Sequence, residues 1–135
     1  MKEIVLDAMM RNIDLLTDWV NSELDVYDCS SRARAQIAVA IDEIFSNIVR
    51  YAYPGTTGRV TVRYDYTDGL VSISFIDAGT CYNPLEKQDP DVSLPAAERK
   101  IGGLGIFLVK KTMDSMEYQR LDGHNFLTIR KKIEG

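Results

Sequence analysis

The sequence predicts an α+β fold, a two-layer α/β sandwich whose mixed, mostly antiparallel sheet carries its helices on one face. Three observations lead there. Apolar residues recur at helical spacing in two stretches of the N-terminal third, and from Arg59 onward the period drops to two. The strand-like runs come in pairs joined by Asp-Gly, at Asp68-Gly69 and Asp122-Gly123, which is the signature of hairpins rather than parallel crossovers. The order of elements, with helices grouped before and between hairpins, disfavours a doubly wound parallel sheet.

Each element has a local reason. Lys2 to Asp7 read as a short strand, after which Met10, Ile13, Leu16, Val20 and Leu24 outline a first amphipathic helix that stops between Asp25 and Cys29. Ser30 and Ser31 offer side-chain oxygens as caps for a second helix. Its apolar stripe runs through Ile37, Ile41, Phe45, Ile48 and Ala52 until Pro54-Gly55 ends it. Val60, Val62, Tyr64 and Tyr66 then alternate with polar residues, and Val71, Ile73 and Phe75 repeat the pattern beyond the Asp-Gly turn. Ala78 to Lys100 holds three of the four prolines and little periodicity, a connection whose length in a small domain points to function. After Gly102-Gly103 a third helix is expected from Leu104 to Met116, with strands at Glu117 to Leu121 and Asn125 to Ile133.

Composition narrows the class of function. The 135 residues suit one domain, taken as residues 1–135, and 45% hydrophobic with 27% charged content is that of an ordinary globular protein. With 16 basic against 20 acidic side chains the net charge is −4, so neither nucleic acid nor an anionic membrane is expected as a partner. The N-terminus lacks the charged region and apolar run of a signal peptide, and a cytoplasmic location is expected. Cys29 and Cys81 lack metal-ligand spacing and read as free thiols. Trp19 reads as a packing residue and His124 as a loop histidine.

Three short runs carry candidate chemistry. On the second helix, Glu43 and Asn47 stand four positions apart in Asp42-Glu43-Ile44-Phe45-Ser46-Asn47, on a face roughly opposite the apolar stripe. A solvated polar face would show the same spacing. In Ile76-Asp77-Ala78-Gly79, an apolar strand delivers a carboxylate able to accept from an exocyclic amine, and the glycine permits close backbone approach. An ordinary turn uses the same residues. In Lys100-Ile101-Gly102-Gly103-Leu104-Gly105, glycines open a helix whose free N–H groups and dipole suit an anion, although a glycine-rich hinge reads alike. The lysine-serine/threonine ending of a P-loop is absent, and the glycines do not follow a first βα unit.

Taken in order, the three runs resemble the nucleotide-binding boxes of the histidine-kinase-like (GHKL) ATPases, most closely those of the bacterial anti-sigma-factor serine/threonine-protein kinases. Glu43 and Asn47 look like the N box, Asp77-x-Gly79 with Tyr82-Asn83-Pro84 like the first glycine box, and Gly103-Leu104-Gly105 like the second. The resemblance spans roughly residues 30 to 133 and implies the histidine-kinase-like ATPase fold.

Carried over residue by residue, it implies ATP and Mg2+ as cofactors. Asn47 would give an oxygen to magnesium, Glu43 would be the general base toward a serine or threonine hydroxyl, Asp77 would read the adenine amine, and Gly79 would admit the ring. Gly103, Leu104 and Gly105 would cradle the phosphates, and Asn83 would join the nucleotide site. Lys100, beside Arg99, would meet phosphate charge under a lid formed by the proline-containing loop. Thr128 would be an adenine-side contact, although a β-branched sheet residue reads the same way. The resemblance further implies a STAS-domain anti-anti-sigma factor as phosphate acceptor, a sigma factor as second partner, and a homodimer formed near the N-terminal elements. A nucleotide-dependent binding switch with negligible catalysis and a non-sigma partner is the alternative. Missing sensor, dimerisation and transducer segments argue against sensor histidine kinases and the larger gyrase, chaperone and mismatch-repair relatives.

Overall fold

The computed structural model describes residues 1–86 and 103–133. Strand β1 (Lys2–Asp7) leads into helix α1 (Asn12–Leu24) and then helix α2 (Ser31–Asn47), which continues as one π-helical turn, Ile48–Ala52. Strands β2 (Arg59–Thr67) and β3 (Leu70–Asp77) follow, then a short 3-10 turn at Pro84–Glu86, helix α3 (Gly103–Thr112), and strands β4 (Ser115–Leu121) and β5 (His124–Lys132). The sheet order is β1-β2-β3-β5-β4. Every neighbouring pair is antiparallel, so among the described residues the sheet is not mixed.

Local chemistry sets these boundaries. Ser30 sits in extended backbone and its side chain accepts from the Ala33 amide at 3.1 Å, the expected cap of α2. Asp68 and Gly69 both have positive φ, 50° and 81°, as do Asp122 and Gly123 at 52° and 77°. Two consecutive left-handed residues give the hairpin turn whose twist matches its strands, which is why Asp-Gly stands at both. Helix α3 ends earlier than its apolar pattern suggests, at Thr112 rather than Met116. Lys131 donates to the Thr112 carbonyl at 2.6 Å and the Asp114 amide to the Arg130 carbonyl at 2.9 Å, so pairing with β5 takes over from helix there.

The helices cover one face. Val60, Val62, Val71, Ile73, Phe75, Leu127 and Ile129 turn inward from the sheet and pack with Leu16, Val20 and Leu24 of α1 and Ile37, Ile41, Ile44 and Phe45 of α2. Trp19 packs against this core, edge-on to Tyr64 at 6.4 Å. The opposite face presents Thr61, Arg63, Ser74, Thr128 and Arg130, all half-buried. Cys29 and Cys81 are free.

The π turn is the one departure inside the second helical segment. Tyr53 donates its amide to the Ile48 carbonyl at 3.1 Å, five residues back. The widened turn leaves the Ala52 carbonyl to accept the Thr80 amide at 2.7 Å, which ties the end of the helix to the loop after β3. An uninterrupted 3.6-residue period could not show this, because π turns are single insertions fixed by tertiary partners.

Candidate functional site

Three polar side chains are buried in the same corner of the fold: Asp77 at 3% exposure, Asn125 at 4% and Asn47 at 6%. All three line one small pocket, whose apolar walls are Ile44 and Ile48 of the helical segment with Phe75 and Leu127 of the sheet. Ala52, Tyr82, Pro84 and Tyr118 complete it. Its volume of about 20 Å³ is that of a site for roughly one water.

Asp77 ends β3 and is held from two sides. Its Oδ1 accepts from the Gly79 amide and from Asn125 Nδ2, each at 2.9 Å. Burial pushes the Asp77 carboxyl above its ordinary value, opposed by those two hydrogen bonds and more weakly by Arg120 and His124. Asn125 also donates to the Thr80 carbonyl at 2.9 Å and accepts from the Tyr118 hydroxyl. Burial and the neighbouring Cys81 thiol push the Tyr118 hydroxyl up to about 12, so it stays protonated and able to donate.

Asn47 differs from its sequence reading. Its face of α2 is not solvated, because the loop after β3 and the end of the sheet close over it. Among the described residues its Nδ2 has no hydrogen-bond partner. An orphaned amide in an apolar corner costs about 1–3 kcal/mol, a cost that a bound polar group would remove. Glu43, one turn earlier, is half-buried, and its carboxylate lies against the backbone of Gly105.

The glycines act differently from one another. At Gly79 a Cβ would run into the Ala52 carbonyl, with Ala52 Cβ 2.9 Å away. The close approach at Gly79 is therefore to the end of the second helical segment. At Gly105 a Cβ would run into the Glu43 carboxylate. Gly103 and Leu104 form the first turn of α3, while Arg99 and Lys100 lie outside the described residues.

The sequence matches the histidine kinase-like ATPase domain family over residues 6–131. This chain belongs to that family. It is 32% identical over 101 residues to the serine/threonine-protein kinase BtrW of Bordetella bronchiseptica, covering 74% of this chain and 71% of that one. It is 27% identical to the anti-sigma F factor of Caldanaerobacter subterraneus, covering 75% of this chain and 71% of that one. Against the serine-protein kinase RsbW of Listeria monocytogenes it is 31% identical over 65% of this chain and 59% of the relative. In structure it resembles the RsbU and RsbW domains of Rv1364c from Mycobacterium tuberculosis, with a TM-score of 0.66 at 17% identity. That match covers 98% of this chain but only 33% of the solved one, and shows a shared fold.

Two of the residues expected in the site stand elsewhere or do something else. Thr128 is not in the pocket: strand parity puts it on the open face of the sheet, where its hydroxyl meets that of Ser74 at 2.8 Å. Asn83 uses its side-chain oxygen to accept the Leu85 amide at 2.9 Å and so shapes the Pro84–Glu86 turn. The polar residue that β5 delivers to the pocket is Asn125, which the motifs passed over. A signal existed, since period two places Asn125 on the inward face with Leu127 and Ile129. A polar residue at an inward strand position needs a partner. Tyr53 was also missed; its hydroxyl donates to the Arg59 carbonyl at 2.9 Å and accepts from the Ala78 amide at 3.0 Å, pinning both ends of the first hairpin.

Proposed function

We propose that this chain binds ATP with magnesium in the Asp77–Asn125–Asn47 corner and transfers the terminal phosphoryl group to a serine or threonine of a STAS-type anti-anti-sigma protein. We propose further that it sequesters a sigma factor. The observation that carries the reading is the convergence of a buried acceptor-only carboxylate and an orphaned buried amide on one pocket. A ligand with an amine at one end and acceptor oxygens, such as those of a phosphate, at the other supplies what each lacks. The kinase and anti-sigma names of the relatives support the same reading.

The residues fit the cofactors. Asn47 would offer an amide oxygen to magnesium, a cation that prefers oxygen ligands. Among the described residues no group of three or more acidic, histidine or cysteine side chains could hold a metal, which suits an ion bound mainly through phosphate and water. Bound ATP supplies the transferable phosphoryl group. Asp77 would accept from the adenine amine, and the backbone N–H groups at the start of α3 would face the phosphates. Glu43 stands one turn of α2 from Asn47, and among the described residues no hydrogen bond or ion pair engages its carboxylate. It would take the proton of the acceptor hydroxyl.

Calorimetry of magnesium-dependent ATP binding tests the site on wild type, Asn47→Ala and Asp77→Asn. The reading expects binding by wild type and weakened binding by both variants; no binding by wild type removes it. Incubation with ATP and a purified STAS-domain protein then tests catalysis. Glu43→Ala should abolish transfer while keeping most of the ATP affinity. Partner binding that depends on ATP but is indifferent to Glu43, with no transfer by wild type, would identify a switch module instead.

A further inference from the structure

The Asn125 side chain spends its whole hydrogen-bonding capacity. Nδ2 donates to Asp77 Oδ1 and to the Thr80 carbonyl, both at 2.9 Å, while Oδ1 accepts from the Tyr118 hydroxyl and from the Tyr82 amide at 3.3 Å. Two donors and two acceptances saturate an amide. The orientation is forced as well, because the Tyr82 amide can only donate and the Thr80 carbonyl can only accept. Nδ2 is therefore the end that faces Asp77.

The consequence falls on the carboxylate. Oδ1 of Asp77 is taken by Asn125 and by the Gly79 amide. Among the described residues nothing donates to Oδ2, and Asp77 lines the pocket. A carboxylate so held offers a ligand an acceptor and no proton. If Asp77 gained a proton it would become a donor, and its preference would invert.

We propose that Asn125, braced by Tyr118, is the positioning residue that makes Asp77 select an amino-purine over an oxo-purine. This rests on the nucleotide-binding reading above. Adenine presents an amine at the position where hypoxanthine presents a carbonyl oxygen, so the same Asp77 atom attracts one and repels the other. Tyr118 acts at one remove: its hydroxyl is the Oδ1 donor on the β4 side and shares its oxygen with the Cys81 thiol at 3.4 Å.

The test is a ratio. Affinities for magnesium ATP and magnesium ITP, which differ in that amine and in a proton on the adjacent ring nitrogen, are measured by calorimetry on wild type, Asn125→Asp and Tyr118→Phe across several pH values. Wild type should favour ATP by roughly tenfold or more. Asn125→Asp sets a second carboxylate within hydrogen-bond reach of Asp77, and such a pair retains a proton. Its preference should fall toward unity and vary with pH. Tyr118→Phe keeps the ring and should lower the preference by a smaller factor, which decides the matter alone if Asn125→Asp fails to fold in a thermal melt. Equal weakening of both nucleotides, with the wild-type ratio retained, would overturn the inference and leave Asn125 a merely structural residue. Equal affinity of wild type for the two nucleotides would do the same. Wild type that binds neither removes the nucleotide reading itself, and the selectivity claim with it.

Discussion

The carboxylate of Glu43 occupies the space that a side chain on Gly105 would need. The two residues are far apart in sequence, on α2 and α3, and the glycine is what lets α3 start against α2. In the proposed kinase the general base and the phosphate-facing turn are thus parts of one contact.

Gly105→Ala should therefore act on Glu43. The atoms in the way are the far end of a flexible side chain, so the fold can yield at small cost and the melting temperature should change little. A displacement of about 1 Å in a catalytic group costs up to about a hundredfold in rate. Phosphoryl transfer should fall by a factor of that order with ATP affinity less affected, measured as single-turnover transfer beside calorimetry. Wild-type transfer rates in the variant would show that the position of Glu43 is unimportant.

Gly79→Ala should behave in the opposite way. Here the obstacle is the backbone carbonyl of Ala52, which also accepts the Thr80 amide at 2.7 Å and cannot step aside without breaking that bond. Overpacking of this kind costs about 1–3 kcal/mol, and urea denaturation should register a loss of that size. A variant as stable as wild type would mean that the π turn and the loop move together freely.

The sequence yields the fold more completely than the site, and the reason is physical. Alternation in β2, β3 and β5 and the stripe of α2 reflect burial on one face, which is written directly into apolar spacing. Asp-Gly at both hairpins names its own geometry through positive φ. The π turn at Ile48–Ala52 is different, since it exists because Ala52 meets Thr80 and Gly79 from another part of the chain. For the site, Asp77 and Asn47 were legible as motif members, yet the burial of Asn47 depends on a loop that wraps over it. Thr128 lies on the face of β5 opposite Asn125, which the β-branched residue alone does not reveal. Asn125 draws its role from Asp77, Thr80 and Tyr118, none of them near it in a motif. Arg99 and Lys100 fall outside the described residues.

Asp77→Asn should separate stability from binding. Burial holds the folded-state value of Asp77 above that of the unfolded chain, so the folded protein binds this proton more tightly. The resulting stability is fully present below the unfolded-state value and is lost as pH rises through the folded-state value. Asparagine has no such proton. The stability of the variant relative to wild type should increase as pH rises through that window, while its ATP affinity falls at neutral pH because an amine is no longer met by a carboxylate. Urea denaturation at a series of pH values reads the first effect, and a difference that stays flat with pH would remove burial as the cause.

The open face of the sheet supplies the last test. Thr128 meets Ser74 across β3 and β5 at 2.8 Å, with Glu117 beside it on β4, and the pocket lies on the other side of the same strand. Thr128→Val keeps the shape and the β-branch and removes one hydroxyl. The variant should lose about 1 kcal/mol of stability for the missing hydrogen bond and keep the wild-type affinity for ATP. Asn125→Val, on the opposite face, should instead lose nucleotide affinity, because Asp77 and the Thr80 carbonyl lose their donor. Calorimetry on the pair decides which face of β5 the nucleotide sees: a loss confined to Thr128→Val would turn the strand around and return Thr128 to the adenine side.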